Sequence, residues 1–195
     1  GAGHSSRITD DAYAAAGAKI GSASDAKSAD VVLKVRRPNA AEIKSYKKGA
    51  AIIAAMDPYG QNDAVKAMAD AGLSAFAMEF MPRITRAQVM DILSSQANLA
   101  GYQAVIDASA EYDRAMPMMM TAAGTVAAAK VFVMGAGVAG LQAIATARRL
   151  GAVVTATDVR PAAKEQVASL GAKFIAVEDE EFKAAETAGG YAKEM

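Results

Sequence analysis

With 195 residues the chain can form one large domain or two small ones, and its 53% hydrophobic content is ample for buried cores. The 21 basic and 21 acidic residues cancel and are spread along the chain, so neither a nucleic-acid surface nor a membrane-binding face is indicated. There is no cysteine, which excludes disulfide and thiolate chemistry, and no run reaches the roughly 18 apolar residues of a bilayer span.

The chain opens Gly1-Ala2-Gly3-His4, without an initiator Met or a signal-peptide pattern, and stops in a polar segment at Met195. Residues 31–35, 51–55 and 73–78 read as short strands rich in Val, Ile, Leu and Ala. Between them 40–48 and 62–71 have helical spacing, with Asn62 as the expected N-cap. Strands alternating with helices predict a parallel sheet. The longest helical candidate runs from Arg86 to about Arg114, with Gly101 weakening its middle and Pro117 ending it. Met118-Met119-Met120 then reads as adaptable core packing, the commoner use of methionine.

The run Val131-Phe132-Val133-Met134-Gly135-Ala136-Gly137-Val138-Ala139-Gly140 combines a β-branched strand with a G-x-G-x-x-G turn, and Leu141, Ala143, Ile144, Ala147 and Leu150 continue it as a helix. Each glycine has its own reason: Gly135 for the tight turn, Gly137 for close approach of a pyrophosphate, Gly140 for helix-on-strand packing. A second strand, 152–157, ends at Asp158, about twenty positions on, where a carboxylate accepts from the adenosine ribose hydroxyls. That carboxylate repels a 2′-phosphate and favours NAD(H) over NADP(H), although Arg160 two residues later is able to meet the extra phosphate. A third strand is expected at 173–177. Only a short stretch follows it, so the nucleotide-binding sheet reads as half of the usual six-stranded one.

Beyond these residues, several segments resemble the NAD(H)-binding component of proton-translocating nicotinamide nucleotide transhydrogenases, whose relatives include alanine dehydrogenase. The resemblance rests on residues 81–88 (Met-Pro-Arg-Ile-Thr-Arg-Ala-Gln), continuing through Asp91, Ser94, Ser95, Gln96, Asn98, Leu99, Ala100, Gly101 and Tyr102. It resumes at 121–124, at the glycine turn, at Thr157-Asp158-Val159-Arg160, at 164–167 and at Gly189-Gly190-Tyr191-Ala192-Lys193. The fold this implies is α/β: two Rossmann-like, doubly wound parallel-sheet domains joined by a long helix, both incomplete. Residues 1–115 would be a flavodoxin-like domain lacking its first strand, 116–129 a linker, and 130–195 the first half of an NAD(H)-binding Rossmann domain.

As to function, the resemblance implies that Arg83, Gln88, Asp91 and Ser94 lie on a loop that orients the nicotinamide, with Val89 beside it. Gly135, Gly137, Val138, Gly140, Asp158, Val159 and Arg160 would hold the rest of the dinucleotide, and Gly190 and Tyr191 would belong to a mobile lid. Read without the resemblance, Thr85 and Gln88 are an ordinary capping-box pair, and the terminal glycines an ordinary frayed end. The implied activity is direct hydride transfer between NADH and NADP⁺ held by a separate component, coupled in the whole complex to proton translocation. Implied partners are a second copy of the chain and the NADP(H)-binding and transmembrane components. The implied location is peripheral, on the cytoplasmic face of a bacterial inner membrane. No metal is expected.

Two other activities compete with this one. An alanine-dehydrogenase type needs a keto-acid site and a proton-transfer histidine. Lys34 and Arg36 could bind a carboxylate, but the only histidine is His4, and Asp57-Pro58-Tyr59-Gly60 stands where that branch is expected to supply one. The other competitor is a module that binds NAD(H) without turnover.

Overall fold

The computed structural model describes residues 1–82, 84–177, 182 and 185. The backbone divides into two compact units, Gly1–Asp91 and Ile92–Met195, each carrying a three-stranded parallel sheet.

In the first unit a short helical turn at His4–Ser6 and α1 (Asp10–Ala15) precede β1 (Val31–Arg36), α2 (Ala40–Ser45), β2 (Ala51–Ala55), α3 (Asn62–Asp70) and β3 (Ser74–Ala77). The strands run parallel in the order β1-β2-β3, with Val32 opposite Ile52 and Ile52 opposite Ala75. Helical crossovers between successive strands make that direction possible. Val32, Ile52 and Ala54 point into a core completed by Ile43 of α2, Met68 of α3, and Met56 and Leu73. Ile52 is wholly buried, so truncating it to Ala would cost about 2–5 kcal/mol.

Local capping explains the start of α2 but not that of α3. Asn39 accepts from the backbone N–H groups of Ala41 and Glu42, each at 3.0 Å, and Glu42 reaches back to the Asn39 N–H at 2.7 Å, a complete capping box. Asn62, the expected cap of α3, is instead its first helical residue. Gln61 precedes it and makes no side-chain cap bond.

The second unit begins with α4 (Ile92–Glu111), followed by the antiparallel hairpin β4 (Met119–Thr121) and β5 (Gly124–Val126). Then come β6 (Lys130–Met134), α5 (Val138–Arg149), β7 (Val153–Thr157), α6 (Ala163–Ser169) and β8 (Lys173–Phe174), with the strands parallel in the order β6-β7-β8. Val105 of α4, Ile144 and Ala147 of α5, Val154 and Ala156 of β7 and Val167 of α6 form the core.

Several expectations are corrected here. The long helix starts at Ile92, not Arg86, because Asp91 adopts an extended ψ of 93° and breaks the backbone after a short 3-10 turn at Thr85–Met90. It packs on α5 within the second unit, ahead of the segment read as a linker, which itself contains the hairpin. Met118, Met119 and Met120 are exposed, Met120 to 72%, because the two-stranded hairpin has no third strand or helix to bury them. The strand expected at 173–177 is confined to Lys173–Phe174.

Candidate functional site

The glycine turn sits where β6 ends and α5 begins, at the carboxyl end of a parallel strand. Gly135 adopts φ +92°, a left-handed conformation that a side chain resists, and its N–H donates to the Thr157 carbonyl at 2.8 Å. That bond ties the turn to the end of β7. At Gly140 an added Cβ would lie 1.8 Å from the Gly135 carbonyl oxygen, so only glycine lets α5 approach the turn this closely.

Gly137 is different. It has φ −75° and ψ −167°, which any residue adopts, and a Cβ there would meet nothing within 4 Å. The protein itself makes no demand for glycine at this position; a close-approaching ligand does. Gly137 also precedes α5 without a side-chain cap bond, which leaves the first helical N–H groups and the positive end of the helix dipole available to an anion.

Asp158 follows β7 and is buried, 9% exposed. Its Oδ2 accepts the Ala136 backbone N–H at 2.6 Å, and its Oδ1 accepts the Arg160 backbone N–H at 2.8 Å. The Arg160 guanidinium forks onto the same carboxylate, Nε to Oδ1 at 2.9 Å and Nη2 to Oδ2 at 3.1 Å, and Nη2 also reaches the Ala136 carbonyl at 3.2 Å. Burial works to raise the carboxyl pKa. The Arg160 side-chain bonds, the N–H groups of Arg160 and Ala136, and the arginine charge together outweigh it and hold the group below its ordinary value. Asp158 is therefore an ionised, oriented acceptor, already engaged by its neighbour.

Of the residues expected to hold the dinucleotide, the fold brings the glycine turn, Asp158 and Arg160 together; Val138 and Val159 flank them, both partly exposed. The spacing did not single out Ala136, whose contribution is a backbone N–H that any residue type carries. Gln88 and Val89 lie in the Thr85–Met90 turn, with Val89 91% exposed. Half-buried Asp91 ends that turn, its N–H donating to the Gln88 carbonyl at 3.2 Å, and half-buried Ser94 lies in the first turn of α4. Ile84 occupies the cap position of the turn without a side-chain cap bond, so the capping-box alternative for Thr85 and Gln88 is not realised. Arg83, Gly190 and Tyr191 lie outside the described residues.

In the first unit, Lys34 Nζ pairs with Glu42 at 2.6 Å along the wall of a cavity of about 940 Å³. At the end of β2, Asp57 has φ +44° and its N–H is accepted by Glu79, which also takes the Met56 N–H at 3.0 Å. Arg37 Nη1 holds the carbonyls of Met56 and Asp57 at 2.6 and 2.8 Å. Burial pushes the Glu79 carboxyl up, but the backbone N–H groups and the Arg37 charge leave it below its ordinary value. Among the described residues no cluster of His, Cys, Asp and Glu is arranged to hold a metal, and no helix is long and apolar enough to cross a membrane.

Parallel strands joined by helices, with a glycine turn at one strand end and a carboxylate at the next, define a Rossmann-like fold of the nucleotide-binding class. The chain belongs to the alanine dehydrogenase/PNT family, whose N-terminal domain matches residues 1–100 and whose C-terminal domain matches residues 104–191. It is 60% identical over its whole length to an NAD(P) transhydrogenase alpha subunit of Rhodospirillum rubrum, of which it covers 53%. An alanine dehydrogenase of Bilophila wadsworthia is 30% identical over 81% of the chain, which covers 42% of that protein. A solved transhydrogenase structure from Sinorhizobium meliloti superimposes with a TM-score of 0.86 at 77% identity, over 90% of this chain and 53% of that one. The chain thus spans about half the length of the relatives it matches.

Proposed function

We propose that this chain binds NAD(H) and takes part in direct hydride transfer between NADH and NADP⁺ held on a separate component. The observation that carries this reading is the contact of Asp158 Oδ2 with the Ala136 N–H at 2.6 Å, which couples a ribose-binding carboxylate to the turn that would cradle the diphosphate. The transhydrogenase names of the most similar relatives supply the reaction class.

In this reading the backbone N–H groups at the start of α5 hold the diphosphate, and Asp158 accepts from the adenosine ribose. When bound, NADH supplies the hydride. Arg83, Gln88, Asp91 and Ser94 orient the nicotinamide: its carboxamide offers one acceptor and two donors, which an arginine or amide with a carboxylate and a hydroxyl can satisfy together. No residue has to exchange a proton with the reacting carbon, so the chain contributes position and exclusion of water. Gly190 and Tyr191 are assigned to a closing lid, and Val89, Val138 and Val159 to apolar flanks. The working assembly is a dimer of this chain with NADP(H)-binding and transmembrane components, peripheral on the cytoplasmic face of a bacterial inner membrane and coupled there to proton translocation.

An amino-acid substrate is less well supported. Lys34, the candidate carboxylate ligand, is engaged by Glu42, and Asp57 stands where a proton-transfer histidine is expected. Calorimetric titration of the full chain should give tighter binding of NADH than of NADPH. Adding an NADP(H)-binding component should then give hydride transfer from NADH to an NADP analogue; a rate no greater than background refutes the reading.

A further inference from the structure

Asp158 receives four hydrogen bonds, two on each oxygen, and an ionised carboxylate offers about four acceptor positions. Two donors are backbone N–H groups of Ala136 and Arg160, fixed by the turn and the strand end. The other two belong to the Arg160 side chain, Nε at 2.9 Å on Oδ1 and Nη2 at 3.1 Å on Oδ2. Swinging that one side chain away frees one acceptor position on each oxygen, the number a vicinal ribose diol fills with its two hydroxyls. We propose that the Arg160 fork is the resident occupant of the ribose subsite, a specificity-determining group that a dinucleotide must displace from Asp158 to bind. This rests on the dinucleotide reading of the glycine turn.

Displacement has opposite consequences for the two nucleotides. For NADH, the bonds that Arg160 gives up oppose binding. For NADPH, the released guanidinium remains within two residues of the carboxylate and presents up to five donors and a permanent charge to a 2′-phosphate. Arg160 therefore narrows the preference for NADH that Asp158 alone would impose. A group that merely braces the carboxylate would instead help both ligands alike.

The test is titration of the full chain and its Arg160→Ala variant with NADH and NADPH. On the scale of charge-assisted hydrogen bonds, the variant should bind NADH at least about threefold more tightly and NADPH at least about tenfold more weakly. NADH binding that is unchanged or weakened in a variant with wild-type circular dichroism overturns the proposal. Should Arg160→Ala fail to fold, Arg160→Lys, which keeps the charge but cannot span both oxygens, should still bind NADH more tightly than wild type; equal or weaker binding again overturns it. In ¹⁵N-labelled wild-type protein, the Arg160 Nε–H resonance should move on saturation with NADH, and a resonance that stays in place refutes displacement. If wild-type protein binds neither nucleotide, the dinucleotide reading itself falls and takes this one with it.

Discussion

A Cβ added to Gly101 would lie 2.0 Å from the carbonyl oxygen of Ala139, so α4 rests directly on the backbone of the first turn of α5, the helix that the glycine turn launches. Position 101 thereby holds the start of α5 in place from behind. Gly101→Ala should destabilise the second unit by about 3 kcal/mol, the upper end for overpacking, because backbone and not a flexible side chain must yield. Urea unfolding followed by circular dichroism checks it; a loss below about 0.5 kcal/mol would show that the helices separate without cost.

The three glycines of the fingerprint should separate by experiment. Gly140→Ala forces a Cβ to 1.8 Å from Gly135 O and should lower both stability and nucleotide affinity. Gly137→Ala has open space and an ordinary backbone conformation, so its stability should stay within about 0.5 kcal/mol of wild type while NADH affinity falls at least about tenfold. Unchanged affinity in Gly137→Ala would mean that nothing approaches the turn from that side.

Asp158 makes a signed pH prediction. Its folded pKa is depressed, so it contributes stability above the unfolded value of about 3.9, and that contribution is lost as pH falls through the lower folded value. Asp158→Asn should flatten the fall in unfolding free energy below about pH 4 relative to wild type. Parallel curves for the two proteins would remove Asp158 from the acid response.

Orientation and affinity can be told apart at Gln88. Gln88→Ala should slow hydride transfer in the reconstituted system by about tenfold or more while changing the NADH dissociation constant by less than about threefold, since misplacement of reacting groups is costlier in rate than in binding. The opposite pattern would make Gln88 a binding residue only.

Much of this architecture is legible along the chain. Residues 51–55 and 31–36 form strands because Ile and Val side chains suit a pleated, half-buried surface, and the helices between them dictate the parallel direction. The glycine turn and Asp158 are legible for the same local reason, since φ +92° at Gly135 and a carboxylate one strand later are properties of short segments. Other features depend on contacts distant in sequence. Gly101 looks like a weak point of a helix and is the place where two helices touch, because its use depends on Ala139, which follows a hairpin and a strand. The methionine run has a core-like composition, yet the hairpin that carries it has no partner to bury it.

By itself, then, the sequence determined two parallel α/β units and a turn whose glycines and following acid suit a dinucleotide, because strand propensity, crossover direction and turn conformation are local matters. Only the tertiary structure decided that Asp158 is saturated: two of its donors sit on the Arg160 side chain, nearby in sequence, but the Ala136 N–H reaches it only because β6 and β7 lie side by side. A residue's hydrogen-bonding capacity is written in its chemistry, and which partners fill it is settled when the strands assemble.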